Sequence, residues 1–229
     1  MSSLKEAVVI SVGGSLIAPS KISTKFLKAF KTTIKKEIEA GRRFVIIVGG
    51  GNTAREYQKA ARNLTTLTPV DIDWLGIHAT RLNAHLLRTI FHKEAHPVII
   101  KNPNNAPRTR KHIIIAAGWK PGASTDYDAV LIAKTLGIKR MVNLSNIDYV
   151  YDKDPKKYKA AKPIKTMKWN KFRQLLPKKW DPGLNAPFDP IAAREAEKLG
   201  MEVAIINGNK IERFTSYLKG RLFSGTIIN

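Results

Sequence analysis

Apolar runs and amphipathic stretches alternate from one end of the chain to the other. Ala7-Val-Val-Ile-Ser-Val12 is a short continuous apolar run closed by Gly13-Gly14, the pattern of a strand buried on both faces. Phe44-Val-Ile-Ile-Val48 repeats that pattern and again runs into glycines. Between them Phe26, Phe30, Ile34 and Ile38 recur every four residues, which predicts an amphipathic helix over Thr24–Ala40 stopped by Gly41. Asn52–Arg62 is helical in composition. Asp71–His92 predicts a long helix with Leu75, Ala79, Leu82, Leu86 and Ile90 on one stripe. Pro97–Ile100 and Ile113–Ala117 predict strands on either side of a polar loop, Asn102–Pro107. A helix over Asp126–Leu136 and a strand over Arg140–Leu144 follow, and Lys153–Lys168 is a charged excursion with room for a hairpin. Asp189, with Pro190 behind it, caps a helix to Leu199. The strand Glu202–Ile206, a helix over Ile211–Leu218 and a terminal strand Thr226–Ile228 complete the chain. Strand, glycine and helix repeated in this order predict an α/β fold: a three-layer sandwich whose mostly parallel central sheet carries helices on both faces. No repeat, low-complexity tract or linker divides residues 1–229, so one domain is expected.

Composition adds limits. The 229 residues are 43% hydrophobic and 25% charged, enough for one sizeable core. No apolar run reaches the roughly 18 residues of a membrane-spanning helix, and the stretch from Met1 to Ile10 lacks a signal-peptide pattern. The absence of cysteine removes disulfides, thiolate zinc sites and cysteine nucleophiles, and fits a reducing, cytoplasmic setting. Charge is the unusual feature: 40 basic minus 18 acidic residues give +22. From Lys153 to Lys179 there are eleven basic residues, with Asp154 the only acid. That run suits a nucleic-acid or polyphosphate surface, but it equally suits a solvated lysine-rich face, which is the favoured reading. Tyr158, Trp169 and Phe172 do not follow a base-stacking rhythm and are expected to be core or anchor residues.

Candidate chemistry lies in three glycine-rich turns, each after a strand and before a helix: Gly13-Gly14-Ser15, Gly49-Gly50-Gly51-Asn52, and Gly118-Trp-Lys-Pro-Gly122-Ala-Ser-Thr-Asp126. Glycine allows close backbone approach, and amides at a helix start hold phosphate. Three such turns at the strand carboxyl ends of one sheet point to phosphate binding. Gly49-x-Gly51-x-x-Ala54 also fits a loose dinucleotide fingerprint, with Asp71 about twenty residues on. That acid should end a strand, however, and here it opens a helix. No Gly-Lys pair occurs, which excludes a Walker-type loop. His78, His85 and His92 repeat every seven residues, about 10.5 Å of helix rise, too far for two of them to share one metal. His96 and His112 have no partner at ligand spacing, so no protein metal site is expected.

In order along the chain, Val12-Gly-Gly-Ser15, Gly49-Gly-Gly-Asn-Thr-Ala-Arg55, Asp73-Trp-Leu-Gly-Ile-His-Ala-Thr-Arg-Leu-Asn83, Pro121-Gly-Ala-Ser-Thr-Asp126, Ser145-Asn-Ile-Asp-Tyr-Val-Tyr-Asp-Lys-Asp-Pro155, Asp189-Pro-Ile-Ala-Ala193 and Gly225-Thr-Ile-Ile228 resemble the archaeal-type uridylate (UMP) kinases of the amino acid kinase superfamily. The resemblance implies an acceptor-binding lobe over roughly 1–125 and an ATP-binding lobe over roughly 126–229. It also implies Mg²⁺ carried with ATP, phosphorylation of UMP in pyrimidine nucleotide synthesis, and a homohexamer built as a trimer of dimers. By position, Ser11, Val12, Gly13, Gly14 and Ser15 would touch the triphosphate, with Gly51 and Arg55 also facing ATP. Ser145, Asn146, Tyr151 and Asp154 would line the adenosine site. Gly50 and Asp73 would contact UMP, Asp73 through ribose hydroxyls. Trp119, Lys120, Pro121, Gly122, Ala123, Ser124 and Thr125 would wall the base. Gly14, Arg55 and Asp189 are the positions expected at the transferring phosphate, and Asp189 would orient phosphates or Mg²⁺ where it is not simply a helix cap.

Three departures stand out. Ser11 occupies a position where many of the superfamily carry lysine, Tyr149 replaces a glycine, and Trp119-Lys120 replaces a small, Gly-rich lead. Tyr149 would either strain a turn or cover the adenine site. Two other functions stay open at this level. One is a kinase of the same fold with another phosphate or carboxylate acceptor. The other is an inactive nucleotide-binding homologue with a basic surface for RNA or protein.

Overall fold

The computed structural model describes residues 7–155, 157–177 and 186–229. The apolar runs form strands β1 (Ala7–Val12), β2 (Arg43–Val48), β3 (Ile113–Ala116), β4 (Arg140–Ser145) and β8 (Glu202–Asn207). Four short strands join them: β5 (Val150–Tyr151), β6 (Pro163–Ile164), β7 (Thr166–Met167) and β9 (Thr226–Ile228). Among the described residues a seven-stranded sheet runs in the order β3-β2-β1-β4-β8-β9-β7. Strands β3, β2, β1, β4 and β8 run parallel to one another, β9 is antiparallel to β8, and β7 is parallel to β9. The sheet is therefore mostly parallel, as the fold reading requires.

Each long strand feeds two cores, because successive side chains leave opposite faces of a strand. Val8, Ile10 and Val12 of β1 face one apolar cluster, and Ala7 and Val9 face the other. The first cluster is closed by α1 (Gly14–Ile17), α2 (Thr24–Glu39), α4 (Pro69–Ile90) and α8 (Ile211–Leu218). Phe30 of α2 sits at its centre, 5.6 Å from the Phe26 ring and 6.2 Å from those of Phe91 and Phe214. The second is closed by α5 (Thr125–Leu136), α6 (Trp169–Leu175) and α7 (Pro190–Lys198), with α3 (Gly51–Leu64) packed beside α4 at the sheet's edge. Trp169 and Phe172 are core residues there, as expected, and the Trp169 indole N–H donates to the Met201 carbonyl at 2.8 Å.

The structure corrects four sequence expectations. Pro97–Ile100 is not a strand. Among the described residues the segment meets β3 through single bridges at Ala95 and Ile100, and the Val98 N–H, which would continue the ladder between them, donates instead to His96 Nδ1 at 3.3 Å. The long helix begins at Pro69, with Thr68 and Asp71 exchanging a capping box, so Asp71 is a third-position cap acid. Its buried residues are Ile77, Ala79, Thr80, Asn83, Ala84 and Leu87; of the expected stripe Ala79 is buried and Leu86 and Ile90 pack against the core, while Leu82 is 63% exposed. Tyr158 is exposed, with the Lys153 ammonium 5.6 Å from its ring centroid, and is no core anchor. The charged excursion does close on a ribbon, β5 against β6, before β7 joins the main sheet, but the helix α6 that follows was not foreseen.

Candidate active site

Register aligns the strand ends. Val48, Val12, Leu144 and Ile206 stand in one row across β2, β1, β4 and β8, so Gly49, Gly13, Ser145 and Asn207 follow along the carboxyl edge. The chain leaves β1 toward β2 and β3 on one side and returns to β4 on the other, which makes β1 the switch point where an open α/β sheet has its crevice. Here the first two glycine turns clasp each other. A side chain at Gly14 would place its Cβ 2.1 Å from the Gly51 nitrogen, and Gly51 itself has φ +64°. Both glycines are therefore demanded by backbone packing, apart from any ligand. Asn83, buried on α4, donates to the Gly49 carbonyl at 2.9 Å and to the Gly50 carbonyl at 3.2 Å, fixing the second turn from behind. Ser15 and Val12 flank the first turn. Arg55 is exposed in the early part of α3 and forms no ion pair among the described residues.

On the α4 side the third glycine turn is tied down at several points. Asp73 Oδ2 accepts the Gly122 N–H at 2.7 Å. Thr80 Oγ1 accepts the Gly118 N–H at 2.8 Å and donates to the Ile77 carbonyl at 2.7 Å. Arg81 donates to the Trp119 carbonyl at 3.3 Å, and Asp128 Oδ2 accepts the Trp119 N–H at 3.0 Å. The Lys120 ammonium lies 4.1 Å from the Trp119 ring centroid. Ser124 caps α5 by accepting the Tyr127 N–H, and Gly122 takes the turn at φ +81°. Thus Asp73 and the segment from Trp119 to Thr125, grouped in the sequence only by resemblance, share one face.

On the β4 side a cavity of about 400 Å³ gathers Ser145, Asn146, Tyr149, Tyr151 and Asp154, with Lys153 at its wall. Tyr149 adopts no positive φ, so it strains no turn; it lines the cavity with its ring edge-on to Tyr151, centroids 6.4 Å apart. Beyond it Asp148 collects Asn207 at 3.1 Å, Lys210 at 3.2 Å and Arg213 at 2.5 Å. Burial alone would raise the Asp148 carboxyl, but the bonds from Lys210, Asn207 and Arg213 outweigh it and hold it below its usual range.

Between the two sides lies an acidic centre. Asp126, in the first turn of α5, accepts the Ser11 hydroxyl at 2.8 Å and the Asn143 amide at 3.2 Å. Burial, with the nearby Asp189 carboxylate, pushes Asp126 up to about 6 despite those bonds. Burial pushes Asp128 up to about 7, again with Asp189 adding to it. Asp189 is buried and caps α7, accepting the Ile191 and Ala192 N–H groups on one oxygen. The Asp189 charge thus acts on both of its neighbours, and hard divalent cations in general take one or two carboxylates together with substrate phosphates.

Residues 6–207 match the model of the amino acid kinase family. The chain belongs to the amino acid kinase family. The uridylate kinase of Hyperthermus butylicus is 33% identical over 221 residues, covering 94% of this chain and 95% of that one. The uridylate kinase of Methanocorpusculum labreanum is 34% identical over 227 residues, covering 96% and 94%. Among solved structures, uridylate kinase from Archaeoglobus fulgidus superposes with a TM-score of 0.83 at 29% identity, over 97% of this chain and 99% of that one. UMP kinase from Bacillus anthracis, at 22% identity and a TM-score of 0.80, shares the fold over 98% of this chain and 96% of its own.

In this amino acid kinase family member, sequence reasoning missed Asp126, Asp128, Thr80 and Asn83 as site residues. Asp126 closes the Pro121–Asp126 motif, where nothing in the sequence gives it a role apart from its neighbours. Thr80 and Asn83 could have been found as the polar positions interrupting the buried face of a helix. Asp128 had no signal beyond its place one turn into a helix that follows a glycine loop.

Proposed function

We propose that this chain is an ATP-dependent uridylate kinase that moves the γ-phosphoryl group of ATP to UMP. A phosphate oxygen of UMP forms the new bond to γ-phosphorus, the bond from γ-phosphorus to the β-bridging oxygen breaks, and UDP and ADP leave. The attacking oxygen is already anionic, so in-line placement and charge neutralisation suffice without a strong base. ATP is assigned to the 126–229 half, with adenosine in the cavity of Ser145, Asn146, Tyr151 and Asp154. Its triphosphate is assigned to Ser11–Ser15, Gly51 and Arg55. UMP is assigned to the 1–125 half, against Gly50, Asp73 and the loop Trp119–Thr125. Gly14 and Arg55 face the transferring group, and Asp189 orients the phosphates from the α7 cap. Mg²⁺ bound with ATP would neutralise phosphate charge, and Asp126 and Asp189 are the carboxylates that would hold it.

One observation carries this reading: the two halves are joined by backbone contact through the glycine turns. A Cβ on Gly13 would meet the Ser145 Cα at 3.7 Å, at the edge of the cavity. Gly14 packs on Gly49 and Gly51, and a Cβ on Gly50 would meet the Gly76 carbonyl of α4 at 3.2 Å, one turn from Asp73. A donor in the cavity and an acceptor beside Asp73 therefore flank a single pair of turns. The nearly full-length uridylate kinase relatives support the choice of acceptor. ADP release measured across a panel of nucleoside monophosphates, with and without Mg²⁺, tests it: UMP should be the preferred acceptor. Turnover of a different acceptor, or none, overturns it. A homohexamer and a cytoplasmic place in pyrimidine nucleotide synthesis complete the proposal; among the described residues no helix is long and apolar enough to cross a membrane.

A further inference from the structure

We propose that Asp128 is a positioning residue for the acceptor, setting the loop Gly118–Ser124 by holding the Trp119 amide. Asp128 lies in the first turn of α5 and is 1% exposed. One oxygen accepts the Trp119 N–H at 3.0 Å, and the other is buried with no hydrogen-bond partner among the described residues. A carboxylate in such a place is unfavourable against an apolar side chain of the same shape, so its presence asks for a reason. The charges facing it make the position worse as well as better. Asp189 at the α7 cap repels it, Asp126 lies in the same helical turn, and Lys120 of the loop attracts it.

The geometry supplies that reason. The Trp119 peptide is strung between two helices: its carbonyl accepts from Arg81 of α4, and its N–H donates to Asp128 of α5. The Gly118 and Gly122 N–H groups on either side donate to α4, to Thr80 and Asp73. Beside the Ser124 cap at the loop's far end, Asp128 thus ties the Trp119 end of the loop to α5, at the residue whose ring carries the Lys120 ammonium. Without that tie, the Trp119 peptide is free to turn, and the wall built by Trp119 and Lys120 turns with it.

This inference rests on the assignment of that loop to the acceptor. The test is steady-state kinetics of the full chain with UMP and ATP varied separately, on Asp128→Asn and Asp128→Leu. The Asn carbonyl still accepts the amide, so Asp128→Asn should keep both KM values within about twofold. Asp128→Leu, nearly the same shape without an acceptor, should raise the UMP KM about tenfold or more and leave the ATP KM within about twofold. An unchanged UMP KM, or equal rises for both substrates, overturns the inference. Should the Leu variant not fold, hydrogen exchange on the wild-type chain decides. The Trp119 amide should be protected at least about tenfold over its unstructured rate, and exchange at the unstructured rate overturns the inference. If wild type fails to phosphorylate UMP, the acceptor assignment is what falls, and the exchange measurement still tests the tie itself.

Discussion

The Ser11 hydroxyl donates a 2.8 Å hydrogen bond to Oδ1 of Asp126, joining the end of β1 to the first turn of α5. The position where many superfamily members carry a lysine is thus already engaged with a buried acid. A lysine there would meet a carboxylate, and the pair would draw Asp126 down from about 6 toward its ordinary value. Ser11→Lys should therefore fold and keep a kcat at least equal to wild type. Measured kcat and ATP Kd check this: altered ATP affinity with turnover at background would mark a site that only holds nucleotide.

Arg55 is exposed and forms no ion pair among the described residues, so its removal should leave stability alone. Arg55→Ala should lower kcat by about 10²-fold with a smaller effect on either KM. Thermal melting beside the kinetics is the check. A lowered Tm with full kcat would make Arg55 structural.

Asp73 has two duties in this account, the ribose of UMP and the Gly122 N–H. Asp73→Asn keeps an acceptor for Gly122 but loses the charge, so UMP KM should rise about tenfold with ATP KM within about twofold. Asp73→Ala loses both and should raise it further. Equal losses for the two substrates would leave Asp73 as a helix-end charge alone.

Asp126 and Asp128 are raised from 3.8 to about 6 and about 7. Between pH 4 and 7 the folded state binds more protons at these groups than the unfolded chain does. Their contribution to stability therefore falls as pH rises through that window, by up to about 1.4 kcal/mol per unit for Asp128. Denaturant unfolding without nucleotide or Mg²⁺ should show this decline, and Asp128→Asn should flatten it. A variant as steep as wild type would contradict it.

The sequence made the sheet legible because its strands are buried on both faces, and runs such as Phe44–Val48 have no other use in a chain of this size. Pro97–Ile100 misled because apolar content hid a local bend, in which the Val98 N–H donates to the His96 ring rather than to β3. The inner face of α4 misled for the opposite reason: Thr80 and Asn83 look solvent-facing by polarity, yet they are buried to hold Gly118, Gly49 and Gly50. Tyr149 joined the cavity wall without a strained backbone, an outcome that depends on the course of the chain after β4. The glycine turns were found by spacing. Their clasp at Gly14 and Gly51 was not, since it depends on the register of β1 with β2. Asp126 became visible only when strand order brought Ser11 and Asn143 to the same helix turn.

The central claim is direct transfer from ATP to UMP in one site. Incubating the chain with Mg²⁺, UMP and ATP labelled at the γ-phosphate, and then separating the nucleotides, tests it most directly. The account predicts label in UDP, at its β-phosphate, in step with ADP formation. Label released as inorganic phosphate, carried by another acceptor, or retained in ATP would contradict it.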